Sequence, residues 1–582
     1  MKNGHNSPRI AYFSMEIALD RDIPTYSGGL GILAGDTLRS AADLGAPMVA
    51  VTLVYRKGYF RQRLDGGGNQ SEEPQPWNPE GVLVETGKRV SVEIEGRQVA
   101  IRAWKYIVHG VTGETIAVYL LDTDVQENAP EDRGLTDSLY GGDVRYRLCQ
   151  EVVLGLGGPK MLQKLGLSDI EVFHMNEGHS ALLALHLLER RLDQSFAGRV
   201  RNLDVDSVRR TCVFTTHTPV PAGHDRFTRD LALQVLGEDK IALLDEAEAW
   251  NAEYLNMTYL ALRFSGYVNG VAMRHGEVSR GMFPTYSINA ITNGVHAVTW
   301  TSDAFMQLFD KYIPGWRTDN NYLRYAISIP LGEVQKAHQT AKKLLFEEIQ
   351  KQTGAQLDPD VFTIGFARRA STYKRGDLLF ENLERLKKIA NETGKLQLVF
   401  AGKAHPKDGG GKDIIRRVFS GAVAVADSIR TVYVENYDMK WGRLLTGGVD
   451  LWLNTPLRPQ EASGTSGMKA AMNGVPSFSV SDGWWIEGHI EGITGWTVGN
   501  SDVEEDPASE LATLYDKLER EIVPMFYEQR SRYVEVMRSA IAFNGSFFNT
   551  QRMLQQYIAN AYSGANEPVR AAVQEVARVV GK

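Results

Sequence analysis

The stretch VDLWLNTPLRPQEASGTSGMKAAMNGVPSFSVS, residues 449–481, decides the fold. VDLWLNT is a compact apolar run of strand length. EASGTSG, residues 461–467, is small and hydroxylated, as loops are. A helix-forming run carries Met468 and Lys469 and stops at Asn473-Gly474, and VPSFSVS is again a strand. Strand, loop, helix and strand in so few residues make a βαβ unit, which implies a parallel sheet. Working outward, VFTIGFA, LQLVFAG and TVYVENY are further strands, separated by helical runs such as DLLFENLERLKKIANE and DIIRRVFSGAVAVADS.

The first half has the same rhythm. RIAYFS, PMVAVTLVYRK, DIEVFHM and TCVFTTH read as strands. GILAGDTLRSAADLG, VRYRLCQEVVLGLGGPKMLQKLG and HSALLALHLLERRL read as helices, the second of them long. VSVEIEG, QVAIRAWKYIV and ETIAVYLLDT alternate between apolar and polar residues and read as an antiparallel insertion. The expected class is α/β, with two Rossmann-like domains facing one another and a division near residues 290–300. The first domain is expected over residues 1–292 and the second over 293–582, with the helical tail from about residue 530 crossing back to the first.

Composition narrows the function. At 582 residues the chain is long enough for two large domains with ample cores. A formal charge of -7 with no long basic block argues against a nucleic-acid binder. Cys149 and Cys212 allow no disulfide framework or zinc spacing, so a reducing, cytoplasmic setting is expected and no metal. The first residues contain no apolar run long enough for a signal sequence, and APMVAVTLVY is too short to span a bilayer.

In open parallel sheets ligands bind beyond the carboxyl ends of the strands. Those positions are polar here. TYSGGLGILAGD opens a helix with glycines that allow close approach, which is also the pattern of an ordinary tight strand–helix turn. ARRASTYKR places Arg368, Arg369, Lys374 and Arg375 in one loop, either a solvated loop or a phosphate or carboxylate site. His217 and His179 also follow strands. EASGTSG can converge backbone N–H groups on an anion, and the spacing of Lys469 is not that of a nucleotide-phosphate loop. A lysine behind such a loop is compatible with a Schiff base to pyridoxal phosphate, loop and lysine gripping opposite ends of one cofactor.

EASGTSGMK resembles the cofactor-lysine motif of the α-glucan (glycogen, starch, maltodextrin) phosphorylases. AYFSMEIAL, YSGGLGILAGD, FTTHTPVP, NGVAMRHGEVSR, ITNGVHAVTW, ARRASTYKR, VFAGKAHP and VENYDM follow in the family's order, from about residue 10 to about residue 500. The resemblance implies two domains of the GT-B glycosyltransferase kind with the active site in the cleft. It implies reversible phosphorolysis of a terminal α-1,4-linked glucose of glycogen or maltodextrin by inorganic phosphate, giving α-glucose 1-phosphate with retention. Lys469 would hold pyridoxal 5'-phosphate, and Thr465, Ser466 and Arg368 would grip its phosphate, with Tyr437 and Trp300 close by. Arg369, Lys374 and the Gly29-Leu30 backbone would bind the substrate phosphate. Glu461, Ser463, Gly464, Asn293, His217 and Tyr373 would meet the glucosyl hydroxyls, and the carbonyl at His217 the reacting sugar. No opposed pair of catalytic carboxylates is evident, which such a mechanism does not need.

Some positions depart from the long forms. Arg368 stands where lysine is common and Ser466 where glycine is commoner. HMNEGHS leaves the roles of Glu177 and His179 open, and Trp484 and Trp485 suit core packing better than sugar stacking. AYFSMEIAL lies so near the start that the segment carrying phosphorylation and nucleotide control in animal members is expected to be absent. These features fit a short prokaryotic type. Homo-oligomers are common in the family. A nucleotide-sugar-dependent glucan synthase of the same fold would carry a lysine before Gly28-Gly29, where this chain has Tyr26-Ser27. An inactive glucan-binding protein and a pyridoxal-phosphate aminotransferase also compete.

Overall fold

A computed structural model describes residues 8–195, 199–220, 223–499 and 507–563. In chain order the first-half strands are β1 (Ile10–Ser14), β2 (Met48–Leu53), β3 (Arg61–Leu64), β4 (Gln70–Glu73), β5 (Val84–Ile94), β6 (Arg97–His109), β7 (Thr115–Asp122), β8 (Val172–Asn176), β9 (Cys212–Thr215), β10 (Arg226–Thr228), β11 (Tyr254–Asn256), β12 (Tyr267–Gly270) and β13 (Asn289–Ala290). Nine of them form one sheet, ordered β13-β12-β9-β8-β1-β2-β7-β6-β5, while the hairpin β3–β4 and the antiparallel pair β10–β11 are separate two-stranded sheets. β1 is buried along its whole length. Its alternate residues serve two cores: Ala11 and Phe13 face one that includes Leu154 and Leu182, and Ile10 and Tyr12 the other, with Leu33 and Leu38 of helix Gly29–Asp43. A strand covered on both faces has to be apolar throughout, which is why RIAYFS shows no polar alternation.

The antiparallel run is not a separate insertion. β7 pairs parallel with β2, and β6 and β5 then add antiparallel, so the three strands extend the main sheet into a mixed edge. The strands lie farther from the middle of the sheet, where one face is less covered, and that exposure produces the alternation seen in the sequence. The expected long helix is Val144–Val152 and Gly158–Lys164 joined by a π-helical turn, Val153–Gly157. The short strands β12 and β13 were not anticipated; two to four residues are too few to give a period.

The second half holds β14 (Phe362–Ala367), β15 (Leu396–Ala401), β16 (Arg430–Val434), β17 (Leu451–Asn454), β18 (Ser477–Val480) and β19 (Gly495–Val498) in one sheet ordered β16-β15-β14-β17-β18-β19. Every pairing is parallel. This is the doubly wound order, and it reverses direction between β14 and β17. The first sheet reverses between β1 and β8. The helix Thr550–Tyr557 packs on Gly29–Asp43 of the first half, with Ser40 and Thr550 hydroxyls 2.6 Å apart and Tyr562 Oη 2.7 Å from His174 Nδ1. The tail beyond residue 563 lies outside the described residues. Among the described residues no helix is long and apolar enough to cross a membrane.

Candidate active site

The loops after β14 and β17 flank the switch point of the second sheet, and they are stitched together. Leu457 N donates to the Tyr373 carbonyl (2.7 Å), and the Thr455 hydroxyl to the Lys374 carbonyl (3.1 Å). Arg375 is occupied in this stitching. Its guanidinium donates to the carbonyls of Thr455 and Pro456 and pairs with Glu510 at 2.6 Å. Of the four cations read from ARRASTYKR, Arg375 is therefore turned to structural work.

Two of the others meet at Glu461. Its Oε2 accepts from Arg368 at 2.6 Å and also from Lys374. Burial pushes the Glu461 carboxyl up, but Arg368 and Lys374 outweigh it and hold it at about 2. Its backbone N donates to Asp482 Oδ2 (2.9 Å), whose own carboxyl burial raises to about 6. Arg368 Nη1 is buried without a partner. Arg369 is exposed, and the Lys374 ammonium lies 4.4 Å from the centre of the Tyr373 ring. The cavity behind the loop, about 10 Å³, admits no more than a water.

Lys469 lies on the short helix Ser466–Met472 and is 5% exposed. Its Nζ sits 3.7 Å from the centre of the Trp300 ring. No ion pair reaches it among the described residues. Burial lowers its pKa to about 8, with Asp36 partly opposing and Arg39 adding to the fall. Trp300 is fixed from both halves. Its Nε1 donates to Asp36 Oδ2 at 2.6 Å, and its carbonyl accepts from Asn473 Nδ2 at 2.8 Å. Tyr437 comes up beside it at Gly442, where an added Cβ would lie 3.2 Å from both Trp300 and the Tyr437 hydroxyl.

The loop before Lys469 is closely shaped. Gly464 has φ +74°, and Ser463 gives its carbonyl to Trp484 N at 3.0 Å. Gly483, at φ +56°, approaches that carbonyl so closely that a Cβ would stand 2.4 Å from it. The Ser466 hydroxyl accepts from Trp452 Nε1 at 3.1 Å, and Thr465 precedes the first helical residue. Trp484 and Trp485 are both buried, and Trp484 packs edge-on to Phe548.

The first-sheet side faces this arrangement. Gly28 precedes the helix that Gly29 and Leu30 open, and a Cβ on Gly28 or Gly29 would meet nothing within 4 Å, so the approach to their backbone is open. Glu16 takes the N–H groups of Ser27 (2.6 Å) and Gly28 (3.2 Å) and the Tyr140 hydroxyl (2.8 Å). His217 follows β9. Its N–H donates to Glu177 Oε2 (2.8 Å) and its Nε2 lies 2.6 Å from Asn176 Oδ1; burial holds the ring neutral, pushed down to about 3. Glu177 is buried at φ +74°, a left-handed conformation that a non-glycine residue adopts at a cost. Its place is thus to hold the His217 backbone. His179 lies instead 3.4 Å from Asp225 and is neutral through burial. Asn293 is buried, its carbonyl held by Arg552 Nη2 at 2.8 Å and its Oδ1 without a partner.

Glu16 and Asp36 were missed from the sequence. Each is an acid within an apolar run, SMEIAL and ILAGDTL, and that incongruity is the signal that could have found them.

These residues fit a cofactor that carries both an aldehyde and a phosphate. Among the described residues they include a buried amine with no ion pair, Lys469, and a guanidinium, Arg368, whose Nη1 is buried without a partner. A sequence model of the carbohydrate phosphorylases matches residues 224–493. The chain is 39% identical to a maltodextrin phosphorylase of Thermococcus litoralis, an alignment covering 96% of this chain and 70% of that one. It is 37% identical to a glycogen phosphorylase of Mycobacterium tuberculosis (96% and 71% covered) and 36% identical to one of Aquifex aeolicus (95% and 86%). The chain belongs to the carbohydrate phosphorylase family.

Burial of the Lys469 amine carries a cost. Moving its pKa from 10.5 to about 8 corresponds to on the order of 3 kcal/mol against the charged form. The cofactor-free protein is expected to gain stability as pH rises from about 8 towards 10.5, where the unfolded lysine still holds its proton and the folded one does not. Lys469→Met should remove that slope and melt higher than the wild type at pH 7, both measured without cofactor by calorimetry across pH.

Proposed function

We propose that the protein is an α-glucan phosphorylase. It transfers the terminal α-1,4-linked glucosyl unit of glycogen or maltodextrin to inorganic phosphate and releases α-glucose 1-phosphate with retention. What supports this reading most is that the basic loop with Arg368, Arg369 and Lys374 follows β14 and the buried Lys469 follows β17, the two strands that flank the switch point of the second sheet.

Lys469 would hold pyridoxal 5'-phosphate against Trp300 and Tyr437, with Arg368, Thr465 and Ser466 about its phosphate. When bound, that cofactor supplies a phosphate able to exchange a proton with the substrate phosphate. Arg369, Lys374 and the backbone at Gly29 and Leu30 would bind the substrate phosphate, cations and N–H dipoles offsetting the repulsion between two anions. Proton transfer to the leaving glucan oxygen is worth about 10²–10⁴-fold in such reactions. Neutral His217 is suited to hydrogen bonding rather than ion pairing, and Glu177 fixes its backbone so that its carbonyl can face a positively charged sugar. Asn293, Tyr373, Ser463, Gly464 and Glu461 would complete the sugar pocket. Glu461 has a second task, because its carboxylate also holds Arg368 and Lys374.

The test is to incubate the protein with maltodextrin and inorganic phosphate and assay α-glucose 1-phosphate. Product that requires phosphate supports the reading. A preparation carrying pyridoxal phosphate that yields none would overturn the substrate assignment.

A further inference from the structure

The hairpin β3–β4 leaves the first half and reaches the second half just behind the basic loop. Gln62 is fully buried and Gln70 is 9% exposed, so two amides are withdrawn from water at this crossing. Both are bonded. Gln62 Nε2 donates to Gln70 Oε1 (3.0 Å) and to the Gly402 carbonyl (2.8 Å), and Gln62 Oε1 accepts from Asn436 N (2.9 Å). Gln70 grips Ala404 at two points, Nε2 to its carbonyl and Oε1 from its N–H, each at 2.9 Å.

The segment so gripped supports the loop after β14. Arg368 N donates to the Ala401 carbonyl (3.2 Å) and Ala370 N to the Lys403 carbonyl (2.9 Å). Gly402 lies so close to Arg368 that a Cβ there would stand 1.8 Å from its carbonyl oxygen. A rigid path therefore runs from the two glutamines through residues 402–404 to Arg368 and Arg369. Apolar side chains would fill the same space. Amides add register, because a displacement strands buried donors and acceptors at a cost that an apolar contact does not impose.

We propose that Gln62 and Gln70 are positioning residues for phosphate binding: the first half, through this hairpin, sets the place of the second half's Arg368–Arg369 loop. The proposal rests on the reading of Arg369 as a phosphate ligand. Its mark is selectivity, a weakened response to phosphate with the glucan response preserved.

The experiment compares wild type, Gln70→Met, the Gln62→Met/Gln70→Met double variant and Arg369→Ala, all loaded with pyridoxal phosphate. Initial rates are measured against phosphate at saturating maltodextrin and against maltodextrin at saturating phosphate. The double variant is expected to raise the phosphate KM about ten-fold and to keep the maltodextrin KM within about two-fold. Gln70→Met alone, at the less buried position, should show the same split at smaller size and carries the test if the double variant does not fold. If Arg369→Ala leaves the phosphate KM unchanged, the phosphate-site reading itself falls. If Arg369→Ala raises it while the methionine variants leave it alone, or raise both KM values equally, the positioning role is overturned.

Discussion

Lys469→Ala is expected to purify without the absorbance of bound pyridoxal phosphate, and to lose phosphorolysis by about 10⁴-fold or more, in the range seen when an essential catalytic group is removed. Among the described residues the lysine is the amine that lies over the Trp300 ring, with Asp36 bonded to the ring nitrogen and Asn473 to the backbone carbonyl of Trp300. Alanine would have no amine to join to that cofactor. Lys469→Arg provides the contrast: it keeps a cation over the ring but has no amine able to form a Schiff base, so it should be as inactive as alanine. Absorbance spectra and product assays on the same preparations decide this. Activity retained in either variant would remove Lys469 from its assigned role.

Glu461→Gln is expected to have the second largest effect, on stability as well as rate. In the wild type one carboxylate neutralises both Arg368 and Lys374 in a buried setting. Removing its charge leaves two cations close together with no anion between them, a change worth about 3–5 kcal/mol where a buried pair is broken. The variant should melt well below the wild type, and kcat/KM should fall by about 10³-fold. Inorganic phosphate should restore part of the lost melting temperature, because it brings an anion to the same cations. The acid limb gives an independent reading. A carboxyl held at about 2 contributes stability that is complete above its ordinary value of 4.5 and is lost as pH falls towards 2. Wild-type stability should therefore drop more steeply than that of Glu461→Gln through this window. Equal slopes, or a variant as stable as the wild type, would show that the two ion pairs do not bear on folding.

The parts of this protein that could be read from the chain share a physical basis. The central strands are buried on both faces, so RIAYFS, VFTIGFA and LQLVFAG are apolar runs short enough to be nothing but strands. The family's motifs lie just after such strands because ligands bind at the carboxyl edge of a parallel sheet. Lys469, Arg369, Lys374 and His217 were legible as candidates for that reason, each belonging to a polar segment that interrupts an apolar rhythm. Glu16 and Asp36 were not, since each lies inside an apolar run and its partners come from distant positions.

By itself the sequence determined the α/β class, the parallel second sheet, the family resemblance and the segments that carry chemistry. These follow from local periodicity and from short motifs, which do not depend on what packs against them. Only the tertiary structure decided how those segments share their charges. It turned Arg375 to the Thr455 and Pro456 carbonyls, set Glu461 between two cations, gave Glu177 to the His217 backbone, and made β5–β7 an edge of the main sheet. It also brought Gln62 and Gln70 against residues 402–404, more than three hundred positions away. Hydrogen bonds and ion pairs of this range are fixed by the relative placement of whole sheets, and no pattern of neighbouring residues encodes it.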